Sequence, residues 1–167
     1  MSERIYNVLF LCTHNSARSL MAEAILNDPV VSGGRFKGYS AGSQPSGKPN
    51  PFALAQIQNA GLPVEGLRSR DWNEFDRPGA PPMDFVFTVC DNAANEVCPV
   101  WPGHPMTAPW GLPDPAAVKG SDAQKRRAFS DTFRRLASRI RLFTSLPLGK
   151  LAQLSLRKKL ESIGKSA

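Results

Sequence analysis

Cys12 and Arg18 stand six positions apart, joined by Thr13, His14, Asn15, Ser16 and Ala17 and followed at once by Ser19. A thiol titrates near pH 8.5 and is a weak nucleophile until deprotonated, but a helix N-terminus or a nearby cation lowers that value to about 3.5–7.5. Arginine offers a rigid planar fork that can bind two oxygens of one oxyanion, which lysine cannot do. If a strand precedes and a helix follows, the backbone N–H groups of residues 13–18 turn inward as an anion nest at the positive end of the helix. The chemistry this arrangement supports is attack by the Cys12 thiolate on a tetrahedral oxyanion held by Arg18. Ser19 can donate a hydrogen bond to the thiolate, and Asn15 can pin the loop through side-chain to backbone bonds. His14 suits a loop-shaping or rim position better than a ligand position. The plain alternative makes Cys12 a small buried hydrophobe at the end of a core strand; it leaves Arg18 and the polar run Thr13–Ser16 without a purpose.

The elements needed to position that loop are present. IYNVLFLC is an uninterrupted apolar run that predicts a buried parallel strand. SLMAEAILN carries Leu20, Ala24 and Ile25 at helical spacing, and its helix is expected to stop near Asp28 and Pro29. RFKGYSAG reads as a weaker strand, PFALAQIQNAG as a helix with an early Pro51, SRDWNEF as a short helix capped near Ser69 or Asp71, and MDFVFTVC as a buried strand. A proline-rich stretch follows, with a short strand at MTAPW. The segment from Ser121 to Leu146 predicts a long amphipathic helix with Phe129, Phe133, Leu136 and Ile140 on its apolar stripe. A hinge at Pro147 and Gly149 leads to a final helix carrying Leu151, Leu154, Leu160 and Ile163. Strands alternating with helices imply an α/β three-layer sandwich around a central four-stranded parallel sheet, in one domain over 1–167. In such sheets the crevice opens at the carboxyl ends of the strands. Cys12 and Cys90 both fall at predicted strand ends.

Composition narrows the setting. The 167 residues are 41% hydrophobic and 21% charged, ordinary values for a globular protein. No apolar run is long enough to span a membrane, and MSERIYN lacks the features of a secretory leader, so a cytoplasmic location without membrane association is expected. Three cysteines, an odd number, argue against a disulfide framework in a reducing compartment. The net charge is +7, and it is concentrated late: residues 119–167 hold 13 Lys and Arg against 3 acidic residues. A basic helical C-terminal part can mark a nucleic-acid surface. Without interleaved aromatic residues it reads instead as a solvated face, and a nucleic-acid partner is not expected.

The run Cys12-Thr13-His14-Asn15-Ser16-Ala17-Arg18-Ser19 resembles the phosphate-binding signature of the low-molecular-weight protein tyrosine phosphatase fold, which phosphatases share with one class of arsenate reductases. The resemblance extends over the first strand–loop–helix, the YSAGS strand end, the FTVCDNAANEVCPVWPG segment and the Asp114-Pro115 pair. It implies Cys12 as nucleophile, Arg18 and the loop as the oxyanion site for arsenate, with phosphate or sulfate as mimics, and Asp114 as general acid on the leaving oxygen. Ala116 follows Pro115 where phosphatases of this fold usually carry an aromatic residue, which counts against a phosphotyrosine substrate.

The segment around Cys90 and Cys98 points to the arsenate reductase branch. The resemblance implies that a second cysteine, Cys90, attacks Cys12 as arsenite leaves, and that Cys98 then takes over the disulfide and presents it to a reductant. Were 90–98 helical, the two α-carbons would lie about 12 Å apart, whereas a disulfide tolerates less than roughly 7 Å; the segment has to loop for that bond to form. The expected donor is an external thiol system, either thioredoxin or glutathione with glutaredoxin, and no tightly bound cofactor or metal is implied. Zinc on Cys90, Cys98 and His104 is the metal alternative, and it matches no compact zinc spacing. A phosphatase using Cys12, Arg18 and Asp114 is the alternative within the fold. A non-catalytic oxyanion or redox sensor is the alternative outside it.

Overall fold

The computed structural model describes residues 4–89, 105–150 and 152–166. Cys90, Cys98, His104 and Leu151 lie outside the described residues. Four strands form one all-parallel sheet in the order β2-β1-β3-β4, with β1 at Tyr6–Leu11, β2 at Phe36–Ala41, β3 at Phe85–Thr88 and β4 at Met106–Pro109. Each strand is shorter than the apolar run that announces it. Met83, for instance, falls before β3 and packs beneath the sheet.

The pleat of β1 divides its side chains between two cores. Val8 and Phe10 face the larger core; Leu9 and Leu11 face a smaller one containing Ala41, Trp72, Phe75, Met83 and Val86. The larger core is built with helices α1 (Arg18–Leu26), α3 (Pro51–Asn59), α4 (Asp122–Thr144) and α5 (Gln153–Gly164). Among the described residues the smaller core is closed by the 3₁₀ turn Trp72–Phe75, which Asp71 caps by accepting from Asn73 N at 2.8 Å.

Helix α1 ends where proline demands, but the chain turns at once into a four-residue helix, α2 (Pro29–Ser32). Pro29 occupies its first position, Asp28 accepts from Val30 N at 3.1 Å, and Gly33 stops it in the left-handed region at φ 59°. Helix α4 starts with a capping box in which the Ser121 side chain and Gln124 exchange bonds with each other's backbone. In α5 the apolar stripe differs from expectation: Leu154 is 66% exposed, and Leu156 is buried with Leu160 and Ile163. Positions 156, 160 and 163 keep the i, i+4, i+7 spacing of one face, and 154 lies off it. No helix of the described residues is long and apolar enough to cross a membrane.

Trp110, just past β4, joins the layers. Its indole stacks on Phe87 at 3.8 Å between centroids and 9° between planes, and its Nε1–H donates to the Leu160 carbonyl of α5 at 2.9 Å. Phe143 of α4 meets Phe85, Phe87 and Trp110 edge-on.

Candidate active site

The site forms at the carboxyl end of β1. Cys12 follows the last strand residue, is 4% exposed, and its N–H donates to Ala41 O at 3.1 Å, extending the pairing with β2 by one step. Beyond it the loop is held from outside. Gln44 N donates to Thr13 O at 2.8 Å, Ser46 N to His14 O at 3.0 Å and Asn50 N to Ser16 O at 2.8 Å, while Ser69 Oγ also donates to His14 O at 3.0 Å. In a planar trans peptide the C=O and the following N–H point in opposite directions. The N–H groups of His14, Asn15 and Ala17 are therefore directed to the side of the loop away from 44–50, as an anion nest requires.

Asn15 is the pin. It is fully buried with φ 47°, a left-handed conformation that asparagine tolerates better than most residues. Its Nδ2 donates to Ser19 Oγ at 2.7 Å and its Oδ1 accepts from Arg70 N at 2.6 Å. Because Ser19 accepts from Asn15, its own O–H is left to donate elsewhere. Gly42 abuts the same loop: a Cβ there would lie 2.5 Å from the carbonyl oxygens of both Cys12 and Thr13, so only glycine fits.

Arg18 opens α1 and is aimed by its surroundings. Nη1 donates to Leu112 O at 2.7 Å, Nη2 lies 3.8 Å from Asp114 Oδ1, and Nε is buried with no hydrogen-bond acceptor among the described residues. A buried guanidinium N–H without an acceptor is costly in a folded chain and suits an anion site. Asp114 caps the 3₁₀ turn Pro115–Ala117, its Oδ1 accepting from Ala116 N at 2.9 Å, and its side chain is 43% exposed. His14 sits on the exposed rim with Nδ1 3.2 Å from Gln44 O. Cys12, residues 13–17, Arg18, Ser19 and Asp114 thus converge, while Cys90 and Cys98 fall outside the described residues. Among those residues no group of three or more His, Cys, Asp or Glu is arranged to hold a metal ion.

Several supporting residues escaped the sequence reading. Glu23 is buried; Ser40 Oγ donates to its Oε1 at 2.6 Å and Arg70 Nη1 lies 3.5 Å away. Burial pushes the Glu23 carboxyl above its ordinary value of 4.5, against the hydrogen bond from Ser40 and the charges of Arg70 and Arg68, which pull it down. One signal was available: Glu23 is a lone acid inside SLMAEAIL, four residues after Ser19 and so on the same helix face. Arg70, 55 residues from Asn15, and Leu112, 94 from Arg18, left no local trace.

Residues 7–159 match the family described as low molecular weight phosphotyrosine protein phosphatase. An arsenate reductase of Oceanobacillus iheyensis is 32% identical over 143 residues, covering 86% of this chain and 96% of that protein. The solved structure of an arsenate reductase from Archaeoglobus fulgidus is 27% identical with a TM-score of 0.57, covering 80% and 98% of the two chains. The low molecular weight protein tyrosine phosphatase of T. tengcongensis has a TM-score of 0.67 at 22% identity, covering 84% and 99%, and shares the fold. With the family matched over residues 7–159 and a relative 32% identical over 86% of the chain, this chain belongs to the low molecular weight phosphotyrosine protein phosphatase family.

Proposed function

We propose that this protein reduces arsenate to arsenite. The observation that carries the reading is the buried Arg18 Nε, without an acceptor among the described residues, at the end of the loop that Cys12 opens and whose N–H groups share one side. In this reading arsenate occupies the loop, and the Cys12 thiolate forms an S–As bond as an oxygen leaves as water. Asp114 supplies a proton and Arg18 holds the remaining oxygens. The Cys90 thiolate then attacks Cys12 Sγ. The S–As bond breaks, its electron pair reduces As(V) to As(III), arsenite departs, and a Cys12–Cys90 disulfide remains. Cys98 attacks Cys90, returns the Cys12 thiolate and leaves a Cys90–Cys98 disulfide for an external thiol donor, thioredoxin or glutathione with glutaredoxin. The arsenate reductase named above, 32% identical, and the presence of both additional thiols favour this over hydrolysis.

Mass mapping of disulfides after one arsenate turnover without reductant tests the reading. A Cys90–Cys98 bond, with arsenite formed and both lost in Cys12→Ser, is expected. Fresh, reduced protein that yields no arsenite overturns it. A phosphatase is the second reading, favoured by the carboxylate of Asp114 lying 3.8 Å from the Arg18 fork, an acid beside an anion site as phosphoester hydrolysis uses. Vigorous p-nitrophenyl phosphate hydrolysis, untouched by Cys90→Ser and Cys98→Ser, would carry it instead.

A further inference from the structure

Arg139 is the most buried arginine that the loop chemistry does not use. It lies on α4, is 2% exposed, and among the described residues no carboxylate lies within ion-pair distance of it. Its contacts are carbonyls. Nη1 donates to Trp110 O at 2.7 Å and reaches Gly111 O at 3.5 Å, while Nη2 donates to Ser166 O at 2.9 Å. Nε is buried and has no acceptor among the described residues. Burial, and after it the charge of Arg135, lower its pKa from the ordinary value. An apolar side chain would fill this position in the core without desolvating a cation. What the guanidinium adds is a grip on particular carbonyls.

Those carbonyls are placed where the grip has an effect. Residues 110, 111 and 112 form the exit from β4, and their three consecutive carbonyls are held by two arginines: Arg139 takes the first two and Arg18 takes the third. Two residues later comes Asp114. Among the described residues its carboxylate has the Ala116 N–H and the distant Arg18 fork to fix it, so its location depends on the path of the exit. The carboxyl end of α5 bears on the same exit. Gly164 is pressed so closely that a Cβ would lie 2.2 Å from Pro109 O and 2.7 Å from the Trp110 ring.

We propose that Arg139 is a positioning residue for Asp114, clamping the β4 exit to the carboxyl end of the C-terminal helix so that the acid meets the oxyanion held by Arg18. This rests on the reading of Asp114 as general acid. A displacement of about 1 Å in such a group costs up to roughly 100-fold in rate, whereas Arg18 keeps its own bond to Leu112 O, a carbonyl that Arg139 does not hold, so anion affinity is disturbed far less.

The test is single-turnover arsenite formation with full-length reduced protein, alongside inorganic phosphate binding by calorimetry. Arg139→Gln is expected to slow turnover about 10- to 100-fold while the phosphate Kd changes less than about twofold. In an Asp114→Asn background Arg139→Gln is expected to add almost nothing, because the group it positions is already gone. Equal losses on both backgrounds, with Asp114→Asn itself strongly impaired, overturn the positioning role and leave the acid in place. An Asp114→Asn protein of full activity overturns the acid reading and this inference with it. Should Arg139→Gln not fold, Arg139→Lys and Gly164→Ala perturb the clamp from its two ends; either must lower rate without lowering phosphate affinity, and parallel losses of both overturn the proposal.

Discussion

Asn15 and Arg18 do different work within four positions of sequence. Arg18→Lys keeps the charge and loses the fork, so the rate of arsenite formation is expected to fall about 100-fold or more in single-turnover assays. Asn15→Ala leaves the half-buried Arg70 N–H without its Asn15 acceptor and forces alanine into a left-handed conformation. A loss of roughly 2–4 kcal/mol in urea unfolding is expected, together with weaker phosphate binding. The placement of Cys12, Arg18 and Asn15 in one loop was legible because a cysteine, an arginine and a short side-chain amide have few interchangeable uses at the mouth of a strand–loop–helix. Arg70 was not legible, because its bond to Asn15 uses a backbone N–H that any residue carries and its side-chain partner Glu23 lies 47 positions away. Leu112 was hidden for the same reason: Arg18 uses its carbonyl and not its side chain.

Among the elements, α1 carries both Arg18 at its start and the buried Glu23 one turn and a half later. Because burial raises the Glu23 pKa in the folded protein, the unfolded chain gives up this proton first as pH rises. Stability contributed by protonated Glu23 is therefore present in acid and is lost from about the ordinary value of 4.5 upward, through the raised folded value. Glu23→Gln is expected to flatten that part of the pH profile, read as urea midpoints at a series of pH values; a slope unchanged by the substitution contradicts it. Helix α4 gives a simpler case: Ser121→Ala removes one half of the capping box and is expected to lower stability by about 1 kcal/mol. Strand and helix identities were readable because the apolar periods of β1 and α4 leave little choice. Ends were less so. The strand at 85–88 was read several residues too long because Met83 is apolar yet serves the core from a loop, and Leu154 was placed inside because one leucine looks like another without the register of the helix.

At the scale of the whole molecule, the sheet, α4 and α5 meet at Trp110. Trp110→Phe preserves an aromatic face against Phe87 but removes the indole N–H that donates to the Leu160 carbonyl. A loss of about 1–2 kcal/mol is expected, with faster proteolysis of the C-terminal helix than of the rest of the chain. A four-stranded parallel sheet was expected from the alternation of strands and helices, whereas the convergence on one tryptophan depends on residues 50 positions apart and has no short-range pattern. Gly42 carries a consequence for assembly. Pairing of β1 with β2 aligns Leu11 with Ala41, so that position 42 meets the loop. Any slip of that pairing by one residue would bring the methyl of Ala41 or the Cβ of Ser43 to a point 2.5 Å from two carbonyl oxygens. A misregistered sheet therefore cannot close the loop. The loop after β1 thus admits one strand alignment, and its closure reports that β1 and β2 are paired in register.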